Sequence, residues 1–185
     1  MFAERSEDIL MARYAEGDDR ALDVLFDRLA PRVLSFLRCS QREPERAEQL
    51  LQSTFVQLHR SRRAYPRGTS ARAWVLGIAA NVQQEPARKL RWFPLFSAQR
   101  CRALAADTPV ANAESQRDRV VREAIAGLQE ADRQLLHLHR VEGMSFREIA
   151  QVVGASEEAI RMRAIGSYRQ LRERLLVLVG DGGQS

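Results

Sequence analysis

Ser145-Phe146-Arg147-Glu148-Ile149-Ala150-Gln151-Val152-Val153-Gly154-Ala155-Ser156, continued by Glu157-Glu158-Ala159-Ile160-Arg161-Met162-Arg163, is the stretch that decides the fold. Ser145 and Glu148 have the spacing of a capping box, in which the hydroxyl takes the third-residue amide and the carboxylate reaches back. Phe146, Ile149, Ala150 and Val153 recur at i, i+3, i+4 and i+7, which predicts one buried helical face. Gly154 is the left-handed stop that glycine adopts without steric penalty. Ser156 then opens a second helix, with Glu157 and Glu158 in the first turn, where the helix dipole favours acids. Along that helix Ile160, Ala164, Tyr168, Leu171 and Leu175 form one stripe. Glu158, Ala159, Met162 and Arg169 lie on the other side, flanked by Arg161, Arg163 and Arg172. A short buried helix, a tight turn and a longer basic helix make the layout required to enter a DNA major groove. The same pattern also serves as an ordinary helix pair with a solvated arginine face, and spacing alone does not separate the two.

The rest of the chain reads as helix. Apolar periodicity predicts helices over Ser6–Glu16, stopped at Gly17, and Asp19–Arg38, kinked at Pro31. A third opens at Pro44 and runs to about Arg63, with Ala47, Leu50, Leu51, Thr54, Phe55 and Leu58 inward. Tyr65 to Thr69 is a loop, and a fourth helix from Ser70 or Ala71 to near Pro86 buries Trp74, Val75, Ile78 and Ala79. Between Leu90 and Ala113 the periodicity gives way to Pro- and Ala-rich sequence, the mark of a linker, which also holds the apolar run Trp92 to Phe96. That run suits packing on its own domain or docking of a partner. Helices from about Glu114 to Ala126 and Glu130 to Val141 lead into the capped pair. The predicted fold is therefore all-α: two small helical domains, residues 1–89 and 114–185, joined by a flexible linker over 90–113, the second a helix-turn-helix.

Charge divides along the same lines. The chain of 185 residues carries 29 basic and 24 acidic side chains, for +5, and all but one of the bases are arginine, whose planar fork grips phosphate or guanine bidentately. Residues 61–119 hold eleven basic against four acidic side chains, whereas residues 1–60 are slightly acidic. A basic middle beside a basic helix suggests nucleic acid touched at two places, with a solvated linker as the plainer alternative. Cys39 and Cys101 are isolated, and His137 and His139 point to different sides of a helix, so no metal site or disulfide framework is expected. No cofactor is expected. No apolar run approaches the ~20 residues of a membrane span, and no basic-then-apolar leader opens the chain, so membrane insertion and export are not expected and a cytoplasmic protein is. Neither a nucleophile–base pair nor a phosphate loop is visible, so the chain is not expected to be an enzyme.

Two blocks carry a family resemblance. Arg133 to Ala150 and Ser156 to Arg163 resemble the fourth conserved region of bacterial sigma-70-family factors, and the short chain with two blocks looks like the extracytoplasmic-function (ECF) group. Pro44 to Phe55 is similar to the second conserved region, on the helix that binds the polymerase clamp, and Ala71–Val75 with Ile78–Asn81 resemble the helix after the promoter-melting loop. The resemblance implies a sigma factor that binds core RNA polymerase and directs promoter-specific initiation. It implies polymerase contacts at Glu45, Glu48, Leu51, Gln52 and Phe55. Upstream duplex would be read by Glu158, Ala159, Arg161, Met162, Arg163 and Arg169. Melted DNA would meet Arg62, Arg63, Tyr65, Arg67, Arg72 and Asn81, a cationic track with a ring for unpaired bases. Its implied partners are core polymerase, promoter DNA in duplex and single-stranded form, and an anti-sigma factor. Departures are present: acids usual in the clamp helix are replaced by Arg46, Gln49 and Ser53, a tryptophan by His59, and Gln83-Gln84-Glu85-Pro86 ends the fourth helix early. They leave open a second reading, a degenerate sigma-like module that occupies a regulator without supporting transcription.

Overall fold

The computed structural model describes residues 2–41, 43–66, 68–84 and 116–181. Among these residues there are eight α-helices and no strand. They are α1 (Phe2–Ala15), α2 (Arg20–Arg38), α3 (Pro44–Ser61), α4 (Ala71–Gln84), α5 (Gln116–Ala126), α6 (Glu130–Arg140), α7 (Phe146–Val153) and α8 (Glu157–Asp181), with one 3-10 turn at Arg62–Ala64. The helices fall into two compact units, one built on α1–α4 and one on α5, α6, α7 up to Ala150, and α8, with Gln151–Val153 at the end of α7 grouped with the first. The expected linker, residues 90–113, and the Trp92–Phe96 run within it lie outside the described residues.

In the first unit α2 is the spine, touching α1, α3 and α4. That position explains why it buries ten residues, including Leu25, Phe26, Leu29, Leu34 and Phe36, on more than one face. Pro31 does not end it: α2 runs unbroken from Arg20 to Arg38, with Leu29, Ala30, Val33 and Leu34 buried on either side of the proline. Proline removes one backbone donor, and burial of its neighbours outweighs that loss. The rings of Phe26 and Phe55, 4.7 Å apart and inclined at 58°, join α2 to α3. Such a tilted pair contributes about 0.5–1.5 kcal/mol beyond the area it buries. α1 begins at Phe2, four residues before the expected start, and ends in a turn where Gly17 takes φ +112°. α3 stops at Ser61, the expected last residues forming the 3-10 turn instead. Asp8 of α1 ties the bundle together by accepting the Ala71 amide at 2.7 Å, so a carboxylate from one helix caps the start of another. At the other end of α4, Gln83 Nε2 donates to Ser40 Oγ.

In the second unit α8 packs against α5 and α6. The α6–α7 turn is fixed by His139, whose Nδ1 donates to the Met144 carbonyl at 2.9 Å while its ring stacks on Phe146 at 4.5 Å. Ile149 and Ala150 are buried on α7, but Val153, expected inward, is 40% exposed at the last residue before the Gly154 turn. Among the described residues no helix is long and apolar enough to cross a membrane.

Candidate nucleic-acid interface

The turn between α7 and α8 has the geometry its sequence predicts. Ser145 Oγ accepts the Glu148 amide at 3.2 Å and Glu148 Oε2 accepts the Ser145 amide at 2.8 Å, a complete capping box. Gly154 sits at φ 70°, ψ 36°, the left-handed conformation that turns the chain at the end of α7. Ser156 Oγ then accepts the Ala159 amide at 3.2 Å and starts α8. With both ends of the turn held, the first turns of α8 present a fixed outer face.

That face carries Glu158, Ala159, Arg161, Met162 and Arg169, all exposed. Arg161 leans on Glu157 at 2.7 Å, an i,i+4 pair open to solvent and therefore easily exchanged for a phosphate. Met162 is 63% exposed, and Ile165, three residues on, is 58% exposed on the same side. Ile165 lies outside the expected contact set; it is out of phase with the stripe of Ile160, Ala164, Tyr168 and Leu171 and so points outward. Arg163 differs from its neighbours. Its Nε donates to Asp132 Oδ1 at 2.8 Å, and Ser167 Oγ donates to the same oxygen at 2.9 Å. Asp132, 6% exposed on α6, therefore clamps α8 through two side chains one turn apart. Arg163 is thus engaged through Nε on the protein side while its side chain stays 45% exposed, so it holds α8 in place at the edge of the expected DNA-reading set.

A second group lies at the root of the loop between α3 and α4. Arg62 is half-buried and engaged: Nη1 donates to the His59 carbonyl at 2.8 Å and lies 3.3 Å from His59 Nε2, and Cζ sits 5.7 Å from the centre of the Tyr14 ring. Arg63, next in the chain, is exposed. Tyr65 donates its hydroxyl to the Thr69 carbonyl, closing the loop, and meets Trp74 edge-on at 5.2 Å. Burial, with Asp8 adding to it, pushes the Tyr65 hydroxyl up to about 12. Trp74, expected in the core, is only half-buried, with the Tyr65 ring against it. Arg67 lies outside the described residues. Arg72 is half-buried in the first turn of α4, and Asn81 is exposed near its end. Nine residues separate them, about two and a half turns or ~13.5 Å, which puts them on opposite sides of the helix. Arg62, Arg63, Tyr65 and Arg72 are thus gathered near one loop, and Asn81 is not part of that group.

Of the residues expected to meet polymerase, Glu45 is exposed and Glu48 and Gln52 are half-buried on α3. Leu51 and Phe55 are fully buried, which corrects their expected role: a side chain closed inside the bundle touches no partner while the bundle is folded. The first turn of α3 keeps its acidic character through Glu45, behind Pro44 at the helix start.

Family comparisons match both units. The description "Sigma-70 region 2" matches residues 25–93, and "Sigma-70, region 4" matches residues 118–164. RNA polymerase sigma factor CarQ of Myxococcus xanthus is 36% identical over 165 residues, covering 89% of this chain and 95% of that protein. ECF RNA polymerase sigma factor SigK of Mycobacterium sp. (strain KMS) is 28% identical over 186 residues, 94% of this chain and 93% of that protein. Among solved structures, CnrH in complex with the cytosolic domain of CnrY aligns over 93% of this chain and 98% of that one, with a TM-score of 0.66 and 22% identity. The sigma factor RpoE in complex with the anti-sigma factor NepR from Bartonella quintana aligns over 82% and 94%, with a TM-score of 0.62 and 20% identity. At these identities the two structures speak to the fold alone.

Proposed function

The chain belongs to the sigma-70 family of RNA polymerase sigma factors, in the ECF group, and from that premise we propose how its two units divide promoter recognition. It is a sigma factor that directs transcription initiation. The α5–α8 unit reads the upstream promoter element as duplex, with the outer face of α8 in the major groove. Glu158 can accept from a cytosine amine, Ala159 and Met162 can meet thymine methyls, and Arg161 and Arg169 hold phosphate or guanine, each good base contact discriminating by ~1–3 kcal/mol. Arg163 supports the reading by fixing the helix against Asp132. The observation that carries this is the outward face of Glu158, Arg161, Met162 and Arg169 on a helix capped at Ser156 and clamped at Asp132.

The α1–α4 unit binds core polymerase and holds the melted strand. Glu45, Glu48 and Gln52 on α3 meet the polymerase, while Arg63, Tyr65 and Arg72 face unpaired DNA at the α3–α4 loop. The segment between the units, about residues 90–113, joins them as a linker. The chain acts in the cytoplasm, where its polymerase works, and its own chemistry is binding rather than catalysis. An anti-sigma factor is a further proposed partner, by analogy with the RpoE complex of similar fold, whose partner NepR is an anti-sigma factor. Footprinting tests the division of labour. Holoenzyme reconstituted with core polymerase should protect an upstream duplex segment that Met162→Ala and Arg161→Ala together uncover, while protection around the start site is retained. Loss of both protections, or of neither, overturns it.

A further inference from the structure

We propose that His59 is the positioning residue of the promoter-melting loop: by bridging the Tyr14 hydroxyl and the Arg62 guanidinium it fixes the root from which Arg63 and Tyr65 reach unpaired bases. This rests on the assignment of strand melting to the α1–α4 unit.

The geometry specifies the histidine's protonation. His59 Nδ1 is 2.6 Å from Tyr14 Oη and Nε2 is 3.3 Å from Arg62 Nη1. A guanidinium only donates, so Nε2 must accept and the ring is neutral, with its proton on Nδ1 pointing at the tyrosine oxygen. Protonated His59 would set an N–H against an N–H and leave the guanidinium held by the His59 carbonyl alone, free to turn away from the ring. The groups that face the ring are Tyr14 from α1, Asp19 from the start of α2 and Arg62 from the 3-10 turn. Burial and then Arg62 push His59 below its ordinary value, with Asp19 opposing, so the environment favours the neutral form.

The bridge is placed where the backbone needs it. Arg62–Ala64 is a single 3-10 turn continuing α3, after which Tyr65 is extended at φ −61°, ψ 119°. A lone 3-10 turn has poor hydrogen-bond geometry and little stability of its own. Tyr14, fully buried, is a rigid post from α1. Held against it, Arg62 sets the direction in which Arg63 points outward and Tyr65 folds onto Trp74. His59 thus links the first helix to the loop without contacting DNA itself.

The test uses holoenzyme made from core polymerase and the full chain, with permanganate reactivity of unpaired promoter thymines as readout. His59→Leu should lower the opened fraction about tenfold, the scale of one lost hydrogen bond to a charged donor, with core binding and upstream duplex protection unchanged. His59→Gln can accept from Arg62 and donate to Tyr14, and should restore opening to within about twofold of the parent on the same scale. As the pH falls below the ordinary histidine value of about 6.5, the parent should lose opening relative to His59→Gln, because only the histidine gains a proton, and it gains it at lower pH than a free imidazole would. This pH arm does not depend on how well His59→Leu folds. Equal opening by His59→Leu and parent, a glutamine variant as defective as the leucine one, or parallel pH profiles for parent and His59→Gln overturns the inference. A parent that binds the promoter and opens nothing instead overturns the assignment of melting on which it rests.

Discussion

Asp132 on α6 and Arg163 on α8, 31 residues apart in sequence, are joined by a 2.8 Å hydrogen bond from Nε to Oδ1, and Ser167 donates to the same oxygen at 2.9 Å. The carboxylate is buried whereas the Arg163 side chain is 45% exposed, so the charge attraction is screened on one side and the bond's chief value is orientation. One carboxylate holding two donors a turn apart fixes both the rotation and the height of α8. Asp132→Ala removes the acceptor from under Ser167 and Arg163. It should destabilise the α5–α8 unit by about 0.5–1.5 kcal/mol, the net value of a hydrogen bond, because Ser167 Oγ can still donate to the Arg163 carbonyl and Arg163 is open to solvent; urea unfolding measures it.

Salt dependence separates an arginine that holds α8 from one that holds DNA. Arg161→Ala and Arg169→Ala should each reduce the slope of log K against log salt by about one for an upstream-element duplex, since each removes a phosphate contact. Arg163→Ala should weaken binding with the slope unchanged. A slope that falls for Arg163→Ala as it does for the other two would return that residue to the DNA.

The two ends of the α7–α8 turn make a matched pair of stability tests. Ser145→Ala removes the N-cap and should cost about 1 kcal/mol. Gly154→Ala forces a Cβ into the left-handed region and should cost about 1–2 kcal/mol, although no other atom lies near enough to clash. Thermal unfolding of the full chain should show both losses in the transition of the α5–α8 unit.

Much of this was legible in the sequence, for local reasons. The capping box, Gly154 and Ser156 act within four residues, and the stripe from Ile160 to Leu175 repeats with the helix. Contacts between distant segments were not legible: nothing in the sequence pairs Asp132 with Arg163, Asp8 with Ala71, or Tyr14 with His59. Leu51 and Phe55 make a different case. Periodicity already put them inward with Ala47, Leu50 and Thr54, and the family resemblance put them on the polymerase; the bundle follows the periodicity.

Charge reversal on α3 tests the polymerase contact. Glu48 is half-buried at the surface, so Glu48→Arg should leave the fold intact, as checked by circular dichroism, and weaken core binding in a pull-down. Phe55→Ala is uninformative here, since emptying that core position should cost about 3–5 kcal/mol and unfold the unit first. Full-strength core binding by folded Glu48→Arg would move the contact off this face.

Run-off transcription with purified core polymerase on a library of promoter fragments, with start sites mapped, tests the central claim most directly. A sigma factor predicts transcripts only when the chain is added, starting at a few positions that share an upstream element. Combined replacement of Arg161, Met162 and Arg169 by alanine should abolish them without releasing the chain from polymerase. Binding of the chain to core polymerase with no start sites above those of core alone would contradict it.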